Sequence, residues 1–113
     1  MTNTEDVQQI LNKFQLYQQQ MQNIVAQKTA SSLELHEIKK ALEEIEKTKE
    51  ESVYKISGPI LIKNSTEDVK KELKERDEIL TVRIKSIEKQ EKEIRAKMEE
   101  LRKKLSELSA EGG

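Results

Sequence analysis

Val53-Tyr54-Lys55-Ile56-Ser57-Gly58-Pro59-Ile60-Leu61-Ile62-Lys63 is the one long stretch of the chain with a period unlike the steps of three and four found elsewhere. β-Branched and aromatic residues cluster in it, and Ser57-Gly58-Pro59 between them is turn chemistry. Proline has no N–H to donate to a ladder, so its confinement to the turn fits two strands rather than one. The stretch predicts a β-hairpin over about residues 53–63. A hairpin reverses the chain, so the segments before and after it must fold back antiparallel on each other.

Upstream of the hairpin, apolar residues recur at Val7, Ile10, Phe14, Tyr17, Met21 and Ile24, then at Leu35, Ile38, Leu42 and Ile45. This is a heptad seam, broken only by Lys28 and Ser31. Thr2 or Thr4 offers an N-cap, and Glu5 and Asp6 stand where the helix dipole favours negative charge. Downstream, a second seam of almost equal length starts at Val69 or Lys70 and passes Leu73, Asp77, Leu80, Ile84, Ile87, Glu91, Ile94, Met98, Leu101, Leu105 and Leu108. Ser65 or Thr66 followed by Glu67 and Asp68 is its start signal. Ser109, Ala110, Glu111, Gly112 and Gly113 let its far end fray. The expected helices cover about residues 5–50 and 67–109, within a single domain spanning 1–113. At 1.5 Å per residue each would be about 65 Å long.

The two seams can be aligned. In an antiparallel pair the numbers of facing residues sum to a constant, and a sum near 118 or 119 sets Ile45 against Leu73, Ile38 against Leu80, Ile24 against Ile94 and Phe14 against Leu105. The same sum sets Lys28 against Glu91, so the clearest opposite-sign breaks of the two seams fall in one layer. An ion pair in such a place adds little stability but specifies register. The fold class that follows is mainly α: a long antiparallel two-helix coiled coil joined by one β-hairpin.

Composition agrees with such an object. In 113 residues, 38% are charged and 34% hydrophobic, a balance that starves a globular core. Low hydrophobicity with abundant Glu, Lys and Gln also describes disordered chains, and it is the order of the apolar residues that separates the two. With 21 Lys plus Arg against 22 Asp plus Glu, the formal net charge of −1 offers no field for nucleic acid or an anionic membrane. There is no cysteine and a single histidine, which excludes disulfides, thiolate chemistry and the usual sulfur or imidazole metal sites. No signal sequence opens the chain and no apolar run approaches the roughly 18 residues that would read as a membrane span, so a soluble cytoplasmic protein is expected. His36 beside the seam and the acidic pairs Glu43-Glu44 and Glu50-Glu51 read as solvated surface. The heavy use of Lys and Glu is compatible with a heat-adapted source.

The hairpin carries the functional expectation. Two strands alone are marginal in water, yet Val53, Tyr54, Ile56, Ile60, Leu61 and Ile62 put apolar groups on both faces and leave two open edges. Other copies must complete the sheet, so an oligomer with a β-platform and projecting coiled coils is expected.

Val53-Tyr54-Lys55, Gly58 and Ile60-Leu61-Ile62-Lys63, set between two helices of this length, resemble the beta-type subunits of prefoldin in their archaeal, single-hairpin form. The Gln-rich run Gln18-Gln19-Gln20-Met21-Gln22 is similar to that family as well, whereas Pro59 stands where it more often has a polar turn residue. The resemblance covers nearly the whole chain. It implies a hexamer of two alpha and four beta subunits, with a double β-barrel body and six coiled-coil tentacles. It further implies an ATP-independent, non-enzymatic chaperone without cofactor or metal, which holds unfolded client proteins at its tips and passes them to a group II chaperonin. No Gly-rich phosphate loop or paired catalytic constellation occurs in the chain.

The tips would be the helix ends near the termini: Val7, Ile10, Leu11 and Phe14 from the first helix, and Met98, Leu101, Leu105 and Leu108 from the second. Each of these could equally be ordinary packing between helices. Helix ends fray, however, and a coil that opens at its end shows an adaptable apolar surface to unfolded chains. Met98 and the glutamines suit promiscuous contact. The competing expectations are a structural coiled-coil adaptor with no affinity for unfolded chains, and an RNA-binding arm. The arm is disfavoured because the cations from Arg83 to Lys104 are interleaved with Glu88, Glu91, Glu93, Glu99 and Glu100.

Overall fold

The computed structural model describes residues Asn3 to Gly112 as helix α1 (Asn3–Lys47), strands β1 (Ser52–Ser57) and β2 (Ile60–Ser65), and helix α2 (Thr66–Gly112). Thr2 and Gly113, named above as a cap and a fraying end, lie outside the described residues. Thr4 lies inside α1 rather than at its cap, with Glu5 and Asp6 in the first turn. Helix α1 stops before residue 50 because Thr48 Oγ1 accepts the Glu50 N–H at 3.3 Å, a local turn that competes with the helical ladder. Helix α2 starts on Ser65, whose Oγ accepts the Asp68 N–H at 3.1 Å, the N-cap bond to the third helical residue. It continues through Gly112, beyond the expected end.

The strands pair antiparallel, with Tyr54 opposite Lys63, Lys55 opposite Ile62, Ile56 opposite Leu61 and Ser57 opposite Ile60. Gly58 and Pro59 form a two-residue loop, and Gly58 has φ of 55°. Positive φ followed by the negative φ that proline imposes is the sign pattern of a type II′ turn, which matches the twist of a hairpin. A Cβ at residue 58 would meet nothing within 4 Å, so glycine is required there by its backbone and not by space.

The chain divides into two compact units: one formed by residues up to Thr29 together with those from Lys85 onward, the other by Ala30–Ile84. Within each, the buried side chains follow the two seams. Ile24, Ile87 and Leu101 are buried in the first unit, and Ile38, Ile45 and Leu80 in the second. Leu80 is the one large side chain that is completely enclosed among the described residues. Ser31, a break in the apolar pattern of α1, is also buried.

Cross-helix ion pairs record the antiparallel course in each unit. Lys28 Nζ lies 3.3 Å from Glu91 Oε1 and 3.6 Å from Glu88 Oε2, which realises the layer expected from the aligned seams. In the second unit Glu34 pairs with Arg76 at 2.8 Å, Lys39 with Asp77 at 3.3 Å and Glu46 with Lys70 at 3.2 Å. Thr66 is buried at the point where α2 begins. Its N–H donates to the Glu51 carbonyl at 2.9 Å and its hydroxyl to the Glu50 carbonyl at 2.7 Å, tying the two ends of the hairpin together.

Candidate functional site

Two sets of apolar side chains stand out against this frame. The first is the hairpin. Tyr54, Ile56 and Leu61 project on one face and Ile60 and Ile62 on the other, as the alternation of strand residues requires. Tyr54 is 66% exposed, Ile56 76% and Leu61 65%, and only Val53 is half-buried. The sheet has two strands, so each strand keeps one unpaired edge. All six residues expected to drive assembly are therefore brought into one small sheet. Next to them, Lys55 Nζ holds Glu72 Oε1 at 2.6 Å and pins β1 to α2. The strap roofs a groove of about 450 Å³ floored by Val69, Leu73, Arg76 and Ile79.

The second set lies at the ends of the helices near the termini. Ile10, Leu101 and Leu108 floor a groove of about 330 Å³, and Asp6, Gln9, Lys13, Lys104 and Glu107 surround it. Val7, Phe14, Met98 and Leu105 are half-buried along the same seam, Leu101 is buried, and Leu11 is exposed beside it. Of the eight residues expected at the tips, the groove brings together Ile10, Leu101 and Leu108, with Leu101 spent on packing, while Leu11 faces solvent. Tyr17 is flanked by Lys97, whose Nζ stands 5.8 Å from the ring centre, a cation–π distance.

The electrostatics are those of solvated pairs. Arg102 donates two hydrogen bonds to Glu99, at 2.7 and 3.0 Å, and these hold the Glu99 carboxyl below the usual carboxylate range. The same bonds raise the Arg102 guanidinium. Among the described residues no group of three or more His, Cys, Asp and Glu is placed to hold a metal ion. Among the same residues no helix is long and apolar enough to cross a membrane.

Sequence reasoning missed the Lys55–Glu72 strap and the groove beneath it, because an exposed Lys and Glu seventeen residues apart carry no periodic signal. It also passed over Leu16, Val25, Leu33, Ile79 and Val82, which lie outside both seams and are exposed. Their signal was available, since each is an apolar residue at a position where a two-helix coil has no use for one.

The chain is similar to known proteins over most of its length. Residues 8–111 match the prefoldin subunit family. The prefoldin subunit beta of Thermococcus onnurineus is 46% identical over 92 residues, covering 80% of this chain and 79% of the relative. That of Pyrococcus furiosus is 42% identical over the same shares, and that of Archaeoglobus fulgidus 40% identical over 79% and 78% of the two chains. The crystal structure of the prefoldin beta subunit from Thermococcus strain KS-1 superposes with a TM-score of 0.82 at 41% identity, covering 90% of each chain.

Proposed function

Because the chain belongs to the prefoldin family, with the beta subunits, we propose that it is one subunit of an ATP-independent holdase in the cytoplasm. Prefoldin subunits are chaperone subunits of hetero-oligomers and not enzymes. In this reading the chain assembles through its hairpin with an alpha-type partner, as a hexamer of two alpha and four beta subunits. It captures non-native polypeptides at the terminal ends of its helices and delivers them to a group II chaperonin.

The observation that carries the reading is the exposure of Tyr54, Ile56, Ile60, Leu61 and Ile62 on a two-stranded sheet with both edges open. Each large apolar side chain buried on association contributes roughly 1.5–3 kcal/mol, so the surface is costly alone and cohesive in company. Assembly then places several terminal grooves in one particle. Weak apolar contacts at each add through multivalency, which suits clients that share no sequence. Val7, Ile10, Leu11, Phe14, Met98, Leu101, Leu105 and Leu108 are the residues assigned to capture. Opening of the terminal layers, the least protected part of any coil, would turn their packed faces outward.

The test is light scattering of an aggregating denatured client, with and without ATP, using the full chain assembled with its partner subunit. A chain trimmed to residues 11–101 serves as the comparison. The trimmed residues belong to one compact unit and the hairpin to the other, so assembly should persist on size exclusion while protection falls with the loss of Val7, Ile10, Leu105 and Leu108. Full protection by the trimmed oligomer puts the client site elsewhere. No protection by the untrimmed oligomer makes the chain a structural adaptor.

A further inference from the structure

From Val7 to Gln27, helix α1 holds a single charged residue, Lys13, although most of its side chains there face solvent. The section of α2 in the same unit, from Lys85 to Glu107, is by contrast dense in Lys, Arg and Glu. Within the neutral section, Leu11, Gln15, Gln18, Gln22 and Val25 follow one another at steps of four and three and are all exposed, Leu11 at 40% and Val25 at 43%. This spacing puts them on one face, parallel to the packed seam. The groove lined by Asp6, Lys13, Lys104 and Glu107 lies on the other flank of that seam. Two of the α2 cations in the same unit are Arg95 and Arg102. Each is engaged within α2, Arg95 with Glu91 at 3.5 Å and Arg102 with Glu99 at 2.7 Å.

A solvent-facing stripe of amides capped at each end by an aliphatic has a specific chemistry. A glutamine side chain offers two N–H donors and a carbonyl acceptor, so it meets a peptide group in either orientation. Without a fixed charge, the stripe repels neither an acidic nor a basic segment. The fifteen residues from Leu11 to Val25, fourteen helical steps, span about 21 Å of helix, the length of roughly six residues of extended chain.

We propose that this stripe is a client-contacting face that seats an extended, non-native polypeptide segment without regard to the sign of its charge. The inference rests on the holdase reading above and extends the contact surface beyond the terminal groove. Leu11 and Val25 receive apolar client side chains, and Gln15, Gln18 and Gln22 hydrogen-bond the peptide groups between them.

The experiment uses the full chain assembled with its partner subunit and two fluorescently labelled denatured clients, one of net negative and one of net positive charge. The parent should bind the two with similar affinity. Gln18→Glu with Gln22→Glu should weaken the acidic client by roughly fivefold to tenfold at low salt and spare the basic one. Gln18→Lys with Gln22→Lys should do the reverse, and both effects should fade in about 0.5 M NaCl. Glutamate and lysine match glutamine in helix propensity, so the fold is retained. Ser86→Glu with Gln90→Glu places the same charge on exposed α2 positions and should discriminate between neither client. Equal binding of both clients by all stripe variants overturns the inference and leaves the holdase reading standing. Equal discrimination by the α2 variant assigns the effect to net charge and also overturns it. A parent that binds neither client removes both readings together.

Discussion

The helices and the hairpin treat the same residue types in opposite ways. Ile24, Ile38, Ile45 and Ile87 are buried, whereas Ile56, Ile60 and Ile62 face solvent. The helical isoleucines sit on two seams of equal period and similar length, so each finds its complement within the chain. A two-stranded sheet has no such complement: alternate side chains point to opposite faces, and one chain supplies nothing to cover either. The helices are therefore completed by folding, whereas the hairpin keeps its large apolar side chains exposed.

The largest test of that contrast is Tyr54→Asp combined with Ile62→Asp. The two side chains lie on opposite faces of the sheet, so the pair spoils both. Association should weaken by more than roughly a hundredfold, given the transfer free energy of two large side chains, while helical content stays. Sedimentation and circular dichroism read the two quantities separately, and a parallel loss of helix would show that the coil depends on assembly.

The converse change is Leu80→Ala, at the one fully enclosed large side chain. It should cost about 2–5 kcal/mol in thermal or denaturant unfolding and leave the oligomer's composition unaltered. Val82→Ala, two residues away and exposed, should stay within about 0.5 kcal/mol. Equal losses at both would mean that Val82 is covered in the assembled particle.

A smaller effect is expected in the charged layer. Glu91 is 15% exposed and Lys28 33%, and Glu91 is shared between Lys28 and Arg95. Lys28→Leu should destabilise by roughly 1–2 kcal/mol, between the values for exposed and for buried pairs. Lys28→Leu with Glu91→Leu should recover that loss or exceed the parent. Additive melting shifts in a double-mutant cycle would dissolve the pairing.

The smallest effect is with pH. The Glu99 carboxyl is held below its ordinary range by the Arg102 hydrogen bonds, so its contribution is present above the unfolded carboxylate range and is lost as pH falls through the lowered folded value. Both groups are exposed to solvent, so the acid side of the stability profile should change only slightly in Arg102→Gln. A large change would mean that Glu99 has a partner in the assembly.

Much of this was legible in the sequence because it is periodic and local. The three-and-four spacing from Val7 to Ile45 and from Val69 to Leu108 needs only the pitch of a helix to be read, and the constant sum of facing numbers set Lys28 against Glu91. The turn at Gly58-Pro59 follows from backbone chemistry alone. Three-dimensional packing decided what periodicity cannot reach. It chose Ser65 over Thr66 as the cap of α2 and turned Thr66 inward to the Glu50 and Glu51 carbonyls. It split Lys28 between Glu88 and Glu91, and drew Lys55 onto Glu72. It also left Leu11 and Val25 in solvent on either side of three glutamines. Those outcomes depend on distances between residues remote in sequence or on faces that neither seam describes, and a repeat along one chain carries no information about either.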